Sequence, residues 1–214
     1  MRDAPFTDLR SAARDLIGDL DVHSAQQGTL VLGIVRGGVP VAAELARFLS
    51  LPLDILLLRR LLAPDPADPL TAAWVAGTFV MDVRMQPTAV PRHGGAEFIA
   101  EALETFSGRN ALCRGMRPPA VIQGKTILLV DNGARTGGTM RTAVRALRTL
   151  RPKRIVAVTP IASDASRAIL HAVADEVVCP LWVERFGHVG MFYDDFAVPH
   201  VEKVHEMLAP EIRL

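Results

Sequence analysis

Residues 127–140, ILLVDNGARTGGTM, admit few folds, because an apolar run empties straight into a glycine-rich turn and then an amphipathic helix. Ile127, Leu128, Leu129 and Val130 suit a parallel strand covered on both faces. Asp131 and Asn132 then put polar side chains at the carboxyl end of that strand, where open α/β sheets bind ligands. Gly133, Ala134 and Arg135 lead to Thr136, Gly137, Gly138 and Thr139, and the helix that follows carries Met140, Ala143, Val144, Leu147 and Leu150 on one face. Glycines let the backbone come close to a ligand, and the N–H groups and dipole of a helix start favour an anion. Two threonine hydroxyls add donors. The pattern points to a phosphorylated sugar, with phosphate on residues 136–139 and ribose hydroxyls on Asp131 and Asn132.

A strand that ends on a ligand needs neighbours, and the remaining sequence supplies them. Phe6, Leu9, Ala13, Leu16, Ile17 and Leu20 predict an amphipathic first helix. Residues 29–35 read as an apolar strand, after which Pro40 stands in the first turn of a helix through Ala43, Leu45, Ala46 and Leu49. Residues 53–58 form a second buried strand. Pro64, Pro66, Pro69, Pro87 and Pro91 break the rhythm, with a short strand or hairpin arm at 74–82 between them. Phe98, Ala102, Leu103 and Phe106 mark a further helix. A strand at 154–159, a helix at 164–173, a strand at 176–180 and a last helix at 201–208 complete the series. Such alternation predicts an α/β fold with a central, mostly parallel sheet flanked by helices. A chain of 214 residues suffices for a single domain of this kind, 1–214, and is short for two.

Composition excludes several classes of function. Lys and Arg number 24 against 23 acidic residues, and a net charge of +1 gives no nucleic-acid footprint. Two cysteines, Cys113 and Cys179, are too few for a disulfide framework or a thiolate metal site. The six histidines show no metal-ligand spacing. The first residues, MRDAPFTDLRS, lack the apolar core of a signal peptide, and no apolar run is long enough to span a membrane. A soluble cytoplasmic protein is expected. Arg141, Arg145 and Arg148 read as the solvated face of their helix, and no Ser-His-Asp order or nucleophile elbow is present.

A second motif follows the first apolar strand: Val35, Arg36, Gly37, Gly38, Val39 and Pro40. Backbone N–H groups again lie at a helix start, now beside a guanidinium. Two such loops at the ends of two strands describe a ligand with phosphate at both ends. Arg59 and Arg60 close the second strand at the same edge.

Residues 127–140 resemble the phosphoribosyl-diphosphate (PRPP) signature of the type I phosphoribosyltransferases, and the likeness extends through Arg-Gly-Gly-Val-Pro-Val-Ala at 36–42 and a Tyr-x-Asp-Phe tail at 193–196. The resemblance implies that family's fold with a small hood at about 181–200, and a mobile loop at about 60–95 that closes over PRPP. Arg36, Gly37 and Gly38 fall in its pyrophosphate loop. The Val189-Gly190-x-x-x-Asp194 spacing resembles the hood of purine-type members and nominates Phe186 to stack on a base and Asp194 to lie near PRPP. The implied reaction is Mg²⁺-dependent displacement of pyrophosphate from PRPP by a nitrogen nucleophile, the metal being carried by PRPP rather than by protein ligands. The acceptor would be a nucleobase or related amine, and the assembly a homodimer. Three departures stand out. Asn132 replaces the second acid of the signature, Arg135 stands where hypoxanthine-type enzymes carry an aspartate, and Arg59, Arg60, Leu61 and Leu62 replace an Arg-Lys-Leu-Gly run. No residue qualifies as a general base. These departures leave open a PRPP- or nucleotide-binding regulator without turnover. A nicotinamide-binding protein is a third reading, opposed by the lack of Gly-x-Gly-x-x-Gly after the first strand.

Overall fold

The computed structural model describes residues 5–61, 70–81 and 95–208. Its strands are β1 (Thr29–Val35), β2 (Leu53–Leu61), β3 (Leu70–Val75), β4 (Thr78–Met81), β5 (Thr126–Val130), β6 (Arg154–Val158), β7 (Ile161–Ser163), β8 (Glu176–Val178) and β9 (Leu181–Val183). All but β7 and β9 form one sheet in the order β4-β3-β2-β1-β5-β6-β8. The run from β2 to β8 is parallel, as the uninterrupted apolar segments predict. The β3–β4 hairpin adds two antiparallel strands beyond β2, turning through Ala76 and Gly77, both at positive φ. It occupies the middle of the proline-punctuated stretch; the expected mobile loop otherwise falls on 62–69 and 82–94, outside the described residues.

Among the described residues six α-helices cover the sheet: α1 (Leu9–Leu20), α2 (Gly38–Phe48), α3 (Gly95–Arg114), α4 (Gly138–Arg148), α5 (Asp164–Val173) and α6 (Val201–Leu208). Alternation along the strands divides the core between them. Val31, Leu128, Val130, Val156 and Val158 pack beneath α1 and α2. Leu30, Leu32, Ile127, Leu129 and Ile155 face the other way, against Met140, Ala143, Val144 and Leu147 of α4 and Leu170 of α5. A third cluster joins Ile55 and Leu57 of β2 to Ala102, Phe106 and Cys113 of α3 and Val204 and Leu208 of α6. The Arg114 guanidinium, 4% exposed, lies 2.6 Å from Asp54, whose carboxylate also accepts from the Ile55 and Ala120 N–H groups. That buried pair fastens the end of α3 to the start of β2.

Two expectations need correction. Phe6 is not part of α1, which starts at Leu9 behind an Asp8 cap reciprocated by Ser11. Phe6 instead pairs with residues 192–194: its N–H donates to the Phe192 carbonyl, and the Asp194 N–H donates to the Phe6 carbonyl. The third helix is longer than its apolar spacing suggests, running to Gly115 at φ +58, and Leu103 is exposed on it. Ser107 and Gly108 interrupt the apolar pattern without ending the helix. The stretch expected as a hood, about 181–200, holds β9, which pairs in parallel with β7, and a helical turn at Val189–Phe192. Among the described residues, no helix is long and apolar enough to cross a membrane.

Candidate functional site

Parallel register sets the carboxyl ends of β1 and β5 side by side, Gly33 opposite Val130. The two loops that leave these strands touch, and glycine makes the contact possible. A Cβ on Gly38 would sit 2.4 Å from the Val130 carbonyl oxygen, and one on Gly37 would sit 2.3 Å from the Asn132 amide nitrogen. The Val35–Arg36 peptide is cis.

The loop after β5 is held from beneath. The Ala134 N–H donates to the Ile161 carbonyl at 3.0 Å, and the Ser163 N–H returns a bond of 3.0 Å to the Ala134 carbonyl. The Ser166 hydroxyl donates to the same carbonyl and the Ser163 hydroxyl to that of Arg135. Gly137 then takes φ +69 to open α4, resting on Ile169. Pinning of this kind presents the first N–H groups of α4 to the cleft without relying on a ligand to order them.

That cleft, of about 950 Å³, is bounded by Ile34, Val35 and Leu58 at the strand ends, by Asp131 and residues 133–142, and by residues 186–189 of the hood. Thr136 and Thr139 are exposed to it, and the Thr142 hydroxyl is turned inward onto the Gly138 carbonyl. Asp131 accepts from the Asn132 N–H at 2.9 Å. Burial at the sheet edge raises its carboxyl pKa to about 7, against the lowering effect of that hydrogen bond. A carboxyl poised there gains by meeting donors such as ribose hydroxyls.

The expected site residues divide into groups. Asp131, Gly133, Ala134, Arg135, Thr136, Gly137, Gly138 and Thr139 all line the cleft, and so does Phe186, whose ring lies 4.8 Å from that of Phe192 at a tilt of 55°. Asn132 is 8% exposed, packs against Gly37 and is not in the lining. Arg36 is exposed beside the cleft loops and makes no ion pair among the described residues. Arg59 and Arg60 pair through their backbones with Ala72 and Thr71, while their side chains lie outside the described residues. Asp194 is exposed and stands apart from the lining; its backbone, not its carboxylate, is engaged.

Sequence reasoning passed over Arg141 and Tyr193. Arg141 was expected on a solvated face, yet it is half-buried and lines the cleft. The reason is that α4 points its first turn at the cleft, so residues there surround a ligand whichever side they leave from. Tyr193 is buried, and its hydroxyl donates to the Asn132 carbonyl at 2.6 Å. In the sequence it opens the Tyr-x-Asp-Phe tail and is the chain's sole tyrosine, and neither fact points to that bond. His188 also lines the cleft, on the hood side. Among the described residues there is no group of three or more metal-ligating side chains.

Comparison with known proteins bears on the family and the fold. The sequence model of the phosphoribosyl transferase domain matches residues 6–194. A Mycobacterium tuberculosis protein named, by inference, a phosphoribosyl transferase is 31% identical over 223 residues in each of two strains, and the match takes in 95% of this chain. The chain spans about half the length of these curated relatives, 48% of each. The crystal structure of a Thermus thermophilus protein, TT1426, superposes with a TM-score of 0.80 at 32% identity, covering 97% of this chain and 98% of that one.

Proposed function

The chain belongs to the phosphoribosyl transferase domain family, and from that premise we propose that it binds PRPP and transfers the 5-phosphoribosyl group to a nitrogen nucleophile, a nucleobase, with release of pyrophosphate. The observation that carries the reading is one cleft shared by Asp131, the 133–139 loop and the Phe186 ring. A phosphate would take the N–H groups and hydroxyls of Thr136, Gly137, Gly138 and Thr139 at the start of α4. Asp131 would accept the ribose hydroxyls, and Arg36 with the Gly37 and Gly38 backbone would meet the pyrophosphate. Arg59 and Arg60 stand towards the end of β2, on the same edge of the sheet. Phe186 offers one flat apolar face to a base.

Loss of pyrophosphate builds positive charge on the ribose ring, so fixed orientation and electrostatic stabilisation supply the rate. No side chain is needed as a nucleophile. The donor set fits a magnesium ion that arrives with PRPP, since Mg²⁺ takes oxygen ligands and shares them with substrate phosphates. Asp131 is the one carboxylate lining the cleft among the described residues, and it would take the ribose while the metal stays on the oxygens of PRPP. Bound in this way, Mg²⁺ would neutralise part of the pyrophosphate charge.

A second reading, a regulator that binds PRPP or a nucleotide without turnover, draws on Asn132. Its amide faces Gly37, so a single acid serves the cleft. Calorimetric titration with PRPP and Mg²⁺, followed by pyrophosphate release against adenine, guanine, hypoxanthine, xanthine, uracil and orotate, separates the two. Binding with release supports transfer, binding without release supports the regulator, and absence of PRPP binding removes transfer and the PRPP-binding form of the regulator.

A further inference from the structure

The Tyr193 hydroxyl reaches out of the hood to the backbone of the ribose-side loop, and nothing in the reaction proposed above uses it. Its ring is 5% exposed and lies 5.3 Å from both Phe6 and Phe196, each at 37°. Backbone bonds from Phe6, Asp194 and Asp195 fix the segments on either side of that ring. The phenol therefore has one accessible orientation, and it donates to the Asn132 carbonyl at 2.6 Å. Burial and the neighbouring Asp131 charge both raise its pKa, so it remains a donor at any working pH.

Asn132 is gripped at three points. Its carbonyl accepts from Tyr193, its N–H donates to the Asp131 carboxylate at 2.9 Å, and its side chain rests on Gly37. We propose that Tyr193 is a positioning residue for Asp131: by clamping the Asn132 carbonyl it sets the backbone that aims the carboxylate at the ribose, and so joins the hood to the sugar site as one unit. The inference rests on Asp131 being the ribose ligand. Without the hydroxyl, a buried carbonyl loses its partner and residue 132 can rotate. The Asn132 N–H then donates less well to Asp131, and the carboxylate needs a higher pH to form.

The test is ribose 5-phosphate affinity from pH 5 to 9 for the wild type and Tyr193→Phe, with melting temperatures recorded alongside. The ligand's own phosphate ionisation is common to both proteins and cancels in the comparison. The expected result is an affinity loss of roughly tenfold, with the midpoint of the pH profile moved upward. A purely structural tyrosine would lower the melting temperature and leave that midpoint in place, and this outcome overturns the proposal. A second measurement needs no substitution: because Tyr193 is the sole tyrosine, biosynthetic 3-fluorotyrosine labels it alone. Its fluorine resonance should shift on addition of ribose 5-phosphate and titrate with Asp131. A resonance indifferent to both overturns the proposal even if the phenylalanine variant fails to fold. A wild type that binds no ribose 5-phosphate defeats the functional reading, and this inference with it.

Discussion

Asp131 carries opposing demands, since the carboxylate that a ribose would use is also a charge held in a place that disfavours charge. Its folded pKa of about 7 lies above the value near 4 expected in the unfolded chain. The sign follows from proton binding. Between those values the folded state holds the extra proton, so the stabilisation is complete below about pH 4 and is lost as pH rises through about 7. Asp131→Asn should therefore melt higher than the wild type at pH 8 and show little difference at pH 4. Equal melting differences at both pH values would contradict the raised pKa. The same substitution should weaken ribose 5-phosphate binding at pH 8, because an amide lacks the charge that strengthens the carboxylate's hydrogen bonds. Gly137 poses a different problem: φ +69 strains any side chain, and the position also faces the proposed phosphate. Gly137→Ala and Gly137→Asp share the strain and differ in charge. Calorimetry should show a much greater loss of ribose 5-phosphate affinity for the aspartate, and equal losses would place the anion elsewhere.

Each element that shapes the cleft is anchored away from it. The start of α4 is set by the bonds from β7 and α5 to Ala134 and Arg135. The start of α2 is set by close packing of Gly38 on Val130. Helix α3, outside the cleft, adds to its apolar packing an ion pair, Arg114 with Asp54, both almost completely buried. Arg114→Ala leaves the Asp54 carboxylate without its counter-charge and should destabilise the protein by about 3–5 kcal/mol in urea unfolding. Arg114→Met with Asp54→Leu, which removes both charges and fills the space, should recover most of the loss. Failure of the double replacement to recover would mean that the pair orders more than its own charges.

Across the molecule, the parallel sheet brings the carboxyl ends of β1, β2 and β5 to one edge, and residues 192–194 pair there with Phe6 from the start of the chain. Ligand binding in such a cleft should stabilise the entire fold by mass action, by about 2.7 kcal/mol at a hundredfold excess over Kd. Saturating ribose 5-phosphate should thus raise the melting temperature of the wild type and leave that of Asp131→Ala nearly unchanged. A similar rise in both would show that the sugar does not meet Asp131. The relatives from Mycobacterium tuberculosis are about twice as long, so these measurements concern the transferase-like unit alone.

Local order was legible in the residues. Continuous apolar runs at β1, β5 and β6, glycine-rich exits and helical spacing in α4 and α5 identify the parallel sheet and the glycine-rich turn that opens α4, because strand burial, helix amphipathicity and glycine's freedom each act within a few residues. Bounds of α5 and α6 could be read to the residue. Contacts between distant segments could not. Phe6 looks like one more apolar residue on a helix face until Phe192 and Asp194 claim its backbone. Asn132 stands beside Asp131 in the signature with nothing to announce that its amide packs on Gly37, and Tyr193 has no pattern that announces its bond to the Asn132 carbonyl. Periodicity encodes which face of an element is apolar; it carries no information about which distant atom that face will meet. That choice follows from sheet order and from how the hood packs, and both are settled by burial summed over the whole chain.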